Sequence, residues 1–174
     1  MDLIFGKADV NNLDKIDNLY NDCKRDLIKN NIYQWGKWGN NYPNKEFLKN
    51  AINQEELFIL KCDGEIIGAV VLNENQSREW ETINWSKING KTLVIHALVI
   101  DPKQQNRGLG KKLLSLCEQY AKDNRYSCIR LDSFKKNNVS NRLYQSFGYK
   151  NIGTVIFDMK PENNKEYYCY EKIL

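Results

Sequence analysis

A chain of 174 residues, 41% hydrophobic and 28% charged, with 10 Gly and 3 Pro, has the size and composition of one globular domain and excludes disordered, collagen-like and mucin-like classes. Its net charge of +4, from 26 basic and 22 acidic residues, gives a mild preference for anions but no nucleic-acid footprint. No apolar run approaches a membrane span, and the N-terminus lacks a charged-then-apolar signal, so a cytoplasmic chain with no membrane partner is expected. Five scattered cysteines, no C-x-x-C pair and a single histidine fit neither a disulfide framework nor a metal site; the thiols are expected as small buried hydrophobes.

Leu3-Ile4-Phe5 reads as a first strand. Asp9 can cap the helix that follows, where Leu13, Ile16, Leu19, Cys23 and Leu27 recur at helical spacing. Residues 33–43 are a Gly-, Asn- and Pro-containing loop, and Asn44 is placed to cap a second helix carrying Phe47, Leu48, Ala51 and Ile52. Two strands, 57–60 and 66–72, flank Asp63-Gly64, a hairpin turn in which both residues tolerate positive φ. A polar stretch from Asn73 to Lys91 precedes an apolar, β-branched central strand, 92–100, which Asp101-Pro102 stops. A helix runs from Gly108 to about Asp123, a strand from Ser127 to Ser133, and a short helix from Val139 to Phe147 closed by Gly148. Strands over 150–158 and 166–173 finish the chain as an antiparallel pair. The order β-α-α-β-β-β-α-β-α-β-β predicts a mixed sheet with helices on both faces, α/β of the α+β type, in one domain over residues 1–174.

The informative stretch is Ile95 to Gly110. A buried strand ends, a polar loop follows, and Gln105-Asn106-Arg107-Gly108-Leu109-Gly110 leads straight into an amphipathic helix. The first turn of a helix leaves backbone N–H groups unpaired and carries about half a positive charge. Glycines there let a ligand approach the main chain. Together these make an anion cradle suited to phosphate. Arg107, Lys111 and Lys112 oppose the helix dipole, a local rule broken in favour of a bound anion. A P-loop is excluded, because Lys112 stands where a hydroxyl is required. A dinucleotide fingerprint, with Asp132 about twenty residues on, is closer but has Leu113 at its third glycine and lacks the tight turn.

Gln105-x-x-Gly108-x-Gly110, after a strand ending Leu98-x-Ile100-x-Pro102, resembles the pyrophosphate-binding motif of the GNAT superfamily of N-acetyltransferases. Leu131-x-Ser133, Asn137 and Leu143-Tyr144-x-x-x-Gly148-Tyr149 resemble that family's second signature, so the specific motifs span residues 94–149. The resemblance implies a sheet of about seven, mostly antiparallel strands with a splay between two central ones. It implies acetyl-CoA as cosubstrate, no metal, and transfer of the acetyl group to an amine of a small molecule or peptide by direct attack in a ternary complex. It leaves room for a homodimer. The alternative is a non-catalytic coenzyme A-binding sensor or regulatory module.

Carried over residue by residue, the resemblance gives the coenzyme pyrophosphate to the amides of Gln105, Asn106, Arg107, Gly108, Leu109 and Gly110, with Lys111 beside them. The pantetheine arm goes to the main chain of Leu98 and Ile100, the thioester carbonyl to an amide near Leu98 or Val99, and an arm contact to Asn137, which is also a natural helix cap. Tyr144 matches the tyrosine that protonates the departing thiolate, a phenol of pKa about 10 serving a thiol of about 8.5. His96, on the face of the strand shared with Leu98 and Ile100, is the candidate base, since an imidazole titrates near neutrality. Asp132 is a further polar candidate. For the acceptor, Tyr33, Trp35, Trp38, Trp80 and Trp85 can wall an apolar or cationic amine, and Glu79 and Glu81 can pair with an ammonium group.

Overall fold

Apolar residues at spacings of three and four build the helices. In the structure, a computed structural model that describes residues 2–35 and 42–174, α1 (Leu13–Lys29) buries Ile16, Leu19, Tyr20 and Cys23. Helix α2 (Lys45–Asn53) buries Leu48, Ala51 and Ile52, and Asn44 caps it by accepting a hydrogen bond from Phe47 N at 2.8 Å. Asp9 caps differently from expectation. Its carboxylate accepts from Asn11 N at 2.7 Å and closes a single 3-10 turn, Val10–Asn12, that leads into α1.

Seven strands follow the predicted order: β1 (Leu3–Lys7), β2 (Leu57–Cys62), β3 (Glu65–Asn73), β4 (Lys91–Ile100), β5 (Tyr126–Phe134), β6 (Lys150–Ile156) and β7 (Glu166–Ile173). Helices α3 (Leu109–Asp123) and α4 (Asn138–Ser146) complete the four α-helices of the described residues. The sheet is mixed, in the order β1-β2-β3-β4-β5-β7-β6. At the β2–β3 turn Asp63 and Gly64 take φ of 48° and 87°, the left-handed pair that a two-residue hairpin requires.

The described residues form two units. The first holds those up to Leu72 with His96–Leu116, and the second holds Asn73–Ile95 with Cys117–Leu174. In the first, the buried faces of α1 and α2 pack with Leu57, Ile59, Ala69, Val71 and Val99 in one cluster. Leu113 of α3 serves the opposite face, where it and Ile100 crowd Gly68: a Cβ there would stand 2.8 Å from Ile100 Cδ1 and 3.1 Å from Val99 O. Strand β4 is irregular at Ala97, whose φ is +51°. The buried Tyr20 hydroxyl donates to the Ala97 carbonyl at 2.6 Å, satisfying an oxygen that a regular ladder would otherwise use.

In the second unit, β4 and β5 run parallel, but their ladder begins at Lys91↔Tyr126 and ends at Val94↔Arg130. Both strands continue beyond that rung, to Ile100 and Phe134. Strand β7 lies between β5 and β6, antiparallel to both. Cys23, Cys117, Cys128 and Cys169 are buried free thiols, and Cys62 is half-buried. Burial pushes the Cys23 thiol up to about 12 and the Cys128 thiol up to about 11. Among the described residues no helix is long and apolar enough to cross a membrane.

Candidate active site

After β4, Asp101 accepts a hydrogen bond from Lys103 N at 2.9 Å and holds a short 3-10 turn, Pro102–Gln104. Gln105 is extended, and Asn106 and Gly108 then take left-handed φ of 62° and 75°. Leu109, 5% exposed, opens α3. The first hydrogen bond entering the helix is Lys112 N to Gly108 O at 3.0 Å. Six successive amides, Asn106 to Lys111, therefore have no acceptor among the described residues. Left-handed residues in such a turn let neighbouring N–H groups converge on one anion, and the helix dipole adds to the attraction. A Cβ on Gly108 would meet nothing within 4 Å, so its φ, rather than space, is what calls for glycine. Arg107 donates to the side-chain oxygen of Gln104, and Lys111 and Lys112 are exposed beside the run.

Upstream, the side chains at the end of β4 are committed to packing. Val99 belongs to the α1–α2 cluster and Ile100 lies over Gly68, while Leu98 is half-buried. Their main chain is what remains for a ligand. His96 is half-buried immediately before the irregular Ala97.

In the second unit, Tyr144 on α4 is 7% exposed and stacks near Tyr149 and Tyr170, with centroids at 6.0 Å and 5.8 Å. Its hydroxyl has no hydrogen-bond partner among the described residues. Burial pushes the phenol above its ordinary value, which keeps it protonated. Asn137 caps α4 by accepting from Ser140 N at 3.1 Å.

Asp132 stands on the other face of β5. Leu131 is paired with Tyr170, which lies against Tyr144, whereas Asp132 is paired with Cys169, and successive residues of a strand point to opposite faces. The Trp80 indole N–H donates to Asp132 Oδ2 at 3.0 Å. Burial pushes the Asp132 carboxyl up to about 6, against the opposing pull of Lys160 and of the Trp80 hydrogen bond; Glu79 adds to the rise. Lys160 donates to the Tyr167 hydroxyl and lies 4.1 Å from that ring's centroid, and burial pulls its ammonium down to about 8.

The residues expected to form an aromatic wall belong to both units. Trp80 and Trp85 form one pair in the second unit, centroids 5.0 Å apart. Tyr33 and Trp35 belong to the first, where the Tyr33 hydroxyl donates to Asn31 at 3.1 Å and Trp35 packs 6.1 Å from Tyr20. Trp38 lies outside the described residues. Ser77 donates to Glu79 and holds that carboxyl below its ordinary value, while Glu81 is exposed. Among the described residues no group of three His, Cys, Asp or Glu is placed to hold a metal ion.

Sequence reasoning passed over Arg130 and Lys160. Arg130 donates from Nε to Glu171 at 2.9 Å, from Nη1 to Gln76 at 3.0 Å and from Nη2 to Ser86 O at 3.1 Å. Its guanidinium also lies 4.5 Å from the Trp85 centroid. Trp85 in turn donates its indole N–H to Trp80 O at 3.1 Å. The available signal was a charge in the middle of each of two strands, Arg130 and Glu171, which the register puts directly opposite one another.

Residues 13–149 match the Acetyltransferase (GNAT) family. A mycothiol acetyltransferase of Acidothermus cellulolyticus is 26% identical over 134 residues, 75% of this chain and 41% of the relative, so the chain spans about two-fifths of that protein's length. A GNAT-family acetyltransferase structure from Streptococcus agalactiae 2603 is similar with a TM-score of 0.85 at 21% identity, covering 99% of this chain and 95% of the other. The structure of a polyamine N-acetyltransferase of Drosophila melanogaster gives 0.71 at 19% identity, covering 99% and 100%. At these identities the two structures speak for the fold.

Proposed function

We propose that this chain, which belongs to the acetyltransferase (GNAT) family, is an acetyltransferase that moves the acetyl group of acetyl-CoA to a primary amine of a small molecule or peptide by direct attack in a ternary complex. The observation that carries this reading is the run of six amides from Asn106 to Lys111 without acceptors, turned by left-handed Asn106 and Gly108 at the mouth of α3. In this reading these groups, with Gln105, hold the coenzyme's pyrophosphate, and the main chain of Leu98 to Ile100 holds its arm. An amide at Leu98 or Val99 polarises the thioester carbonyl, a contribution of about 3 kcal/mol to the barrier. Asn137 touches the arm while capping α4, and Tyr144 protonates the departing thiolate. Residues 1–174 act as one acetyltransferase domain. The relatives include a protein named for polyamines, which supports offering such amines as acceptors.

The test is coenzyme affinity by calorimetry, combined with an acetylation screen over amino acids, polyamines, aminoglycosides and peptides. Replacing both Lys111 and Lys112 by Gln is expected to weaken acetyl-CoA binding about tenfold at low salt and to flatten its salt dependence, because exposed charges act through a screened field. Equal affinity for the double variant and the parent, at low and high salt, would reject the cradle.

An alkyl ammonium is not nucleophilic, so some group must take its proton. His96 is the candidate that the strand pattern offers. An imidazole base gives the rate an acid limb near neutrality, and His96→Ala would erase it. A limb that survives in His96→Ala removes the imidazole from that role.

A further inference from the structure

We infer that the open cavity where β4 and β5 begin is a second binding site, for a small organic anion with an apolar body, such as a medium-chain carboxylate. The site stands apart from acetyl transfer and lies wholly within the second unit.

The cavity measures about 510 Å³, within the roughly 300–1,000 Å³ usual for small-molecule sites. The first rung of the parallel ladder, Lys91↔Tyr126, starts beside it. Ser86 to Asn89 arrive just before β4, Ile173 ends β7, and Lys122 stands in the last turn of α3. Ile88, Ile173 and Leu174 supply apolar wall, and Tyr126 adds a ring. Asn106 to Lys111 belong to the first unit and do not line it.

The walls are fixed before any ligand arrives. Ser127 donates its hydroxyl to Asn89 O at 3.3 Å, and Leu174 N donates to Ser127 O at 3.0 Å. Gly90, at φ 138°, lies so close that a Cβ there would stand 2.1 Å from Ser127 Oγ. Ser86 is held through both main-chain groups, its N–H by Glu171 at 3.3 Å and its carbonyl by Arg130 at 3.1 Å. The Tyr126 hydroxyl donates to Glu74 at 3.0 Å, and Lys91 lies 4.3 Å from that ring's centroid. A cavity ordered in advance loses little freedom when it is filled.

Charge selects the ligand. Lys87 and Lys122 line the cavity, and neither side chain has a hydrogen-bond or ion-pair partner among the described residues. Among those residues no acidic side chain lines it. The carboxylates of the neighbouring elements are engaged: Glu171 by Arg130, Glu74 by Tyr126 and Lys91, and Asp123 by Gln119. The turn that closes α3 also spends carbonyls at the negative end of that helix, with Asn124 donating to Tyr120 O and Arg125 N to Lys122 O. Even a main-chain carboxylate counted at Leu174 leaves the two lysines in surplus. An anionic head at the lysines, with its tail along Ile88 and Ile173, uses both characters of the lining. A cation would be repelled, and a bare phosphate would leave the apolar wall wet.

The experiment is calorimetric titration of the full chain with octanoate, butyrate, octylammonium and inorganic phosphate, at low and high salt, with and without saturating acetyl-CoA. Octanoate is expected to bind once per chain, about tenfold or more tighter than butyrate, because each buried methylene adds to affinity. Its affinity falls as salt rises, and acetyl-CoA leaves it unchanged. Replacing Lys87 and Lys122 together by Glu is expected to weaken octanoate about tenfold or more while keeping the unfolding midpoint. In the parent, the octanoate methylenes give nuclear Overhauser contacts to the Ile88 and Ile173 methyl groups, a readout that needs no variant to fold. Displacement of octanoate by acetyl-CoA puts the probe at the coenzyme and overturns the inference. Equal binding of butyrate, phosphate or octylammonium overturns it, as do undiminished affinity in the double variant and contacts to other methyl groups only. No octanoate binding at millimolar concentration overturns it too. Octanoate bound as expected by a chain that takes up no acetyl-CoA counts against the transferase reading alone.

Discussion

Arg130→Ala is expected to lower the free energy of unfolding by about 3–5 kcal/mol, read as a fall in the urea midpoint. The size comes from what is left behind. The side chain of Glu171 is 3% exposed and its main partner is the Arg130 Nε–H at 2.9 Å, so truncation strands a carboxylate where water cannot reach it. Gln76 and the Ser86 carbonyl lose donors in the same change, and the Trp85 face loses its cation. Adding Glu171→Gln should recover part of the loss, because a neutral amide tolerates burial far better than an unpaired charge. A single variant less than about 1 kcal/mol below the parent would mean that the pair is no more than a surface contact in energetic terms.

Tyr144→Phe is expected to reduce turnover tenfold or more while leaving coenzyme affinity and the unfolding midpoint close to the parent's. The substitution removes only a hydroxyl that no described residue uses, and it keeps the ring contacts to Tyr149 and Tyr170. Any large effect on rate therefore belongs to the proton it supplies. Steady-state kinetics and calorimetry on the same preparation separate the two quantities. Unchanged turnover would strip Tyr144 of the acid role. A parent that binds the coenzyme with no turnover to lose would match a sensor.

What could be read from the chain before its structure was mostly local. Asn44, Asp63-Gly64 and Gly148 each act within four residues of their own position. The expected cap and the left-handed turns follow, with Gly148 at φ 81° and Tyr149 N donating to Tyr144 O at 3.1 Å. The Asn106–Lys111 turn was legible for the same reason, being one strand end, one loop and one helix start in unbroken sequence. The cluster of Trp80, Trp85, Arg130 and Asp132 was only half legible. Trp80, Trp85 and Asp132 drew attention singly, but the hydrogen bond joining Trp80 to Asp132 spans 52 positions and that from Arg130 to Ser86 spans 44. Hydrophobic periodicity carries no information on such pairings. Lys160 lies in a connection with no pattern, and Ala97 has no side-chain feature that announces a positive φ. Asp9 shows the opposite failure: the right residue type capped the turn one step earlier than the helix it was assigned to.

Gly68 governs how near β3 comes to the strand bearing Leu98 to Ile100. Even a methyl group would press on the Val99 oxygen at 3.1 Å, and the backbone would have to give by a few tenths of an ångström. Selection on affinity for a nucleotide-bearing cosubstrate would thus be felt at a seam remote from the phosphates. Mutational tolerance along this chain should be mapped by proximity to β4 as much as by proximity to ligand.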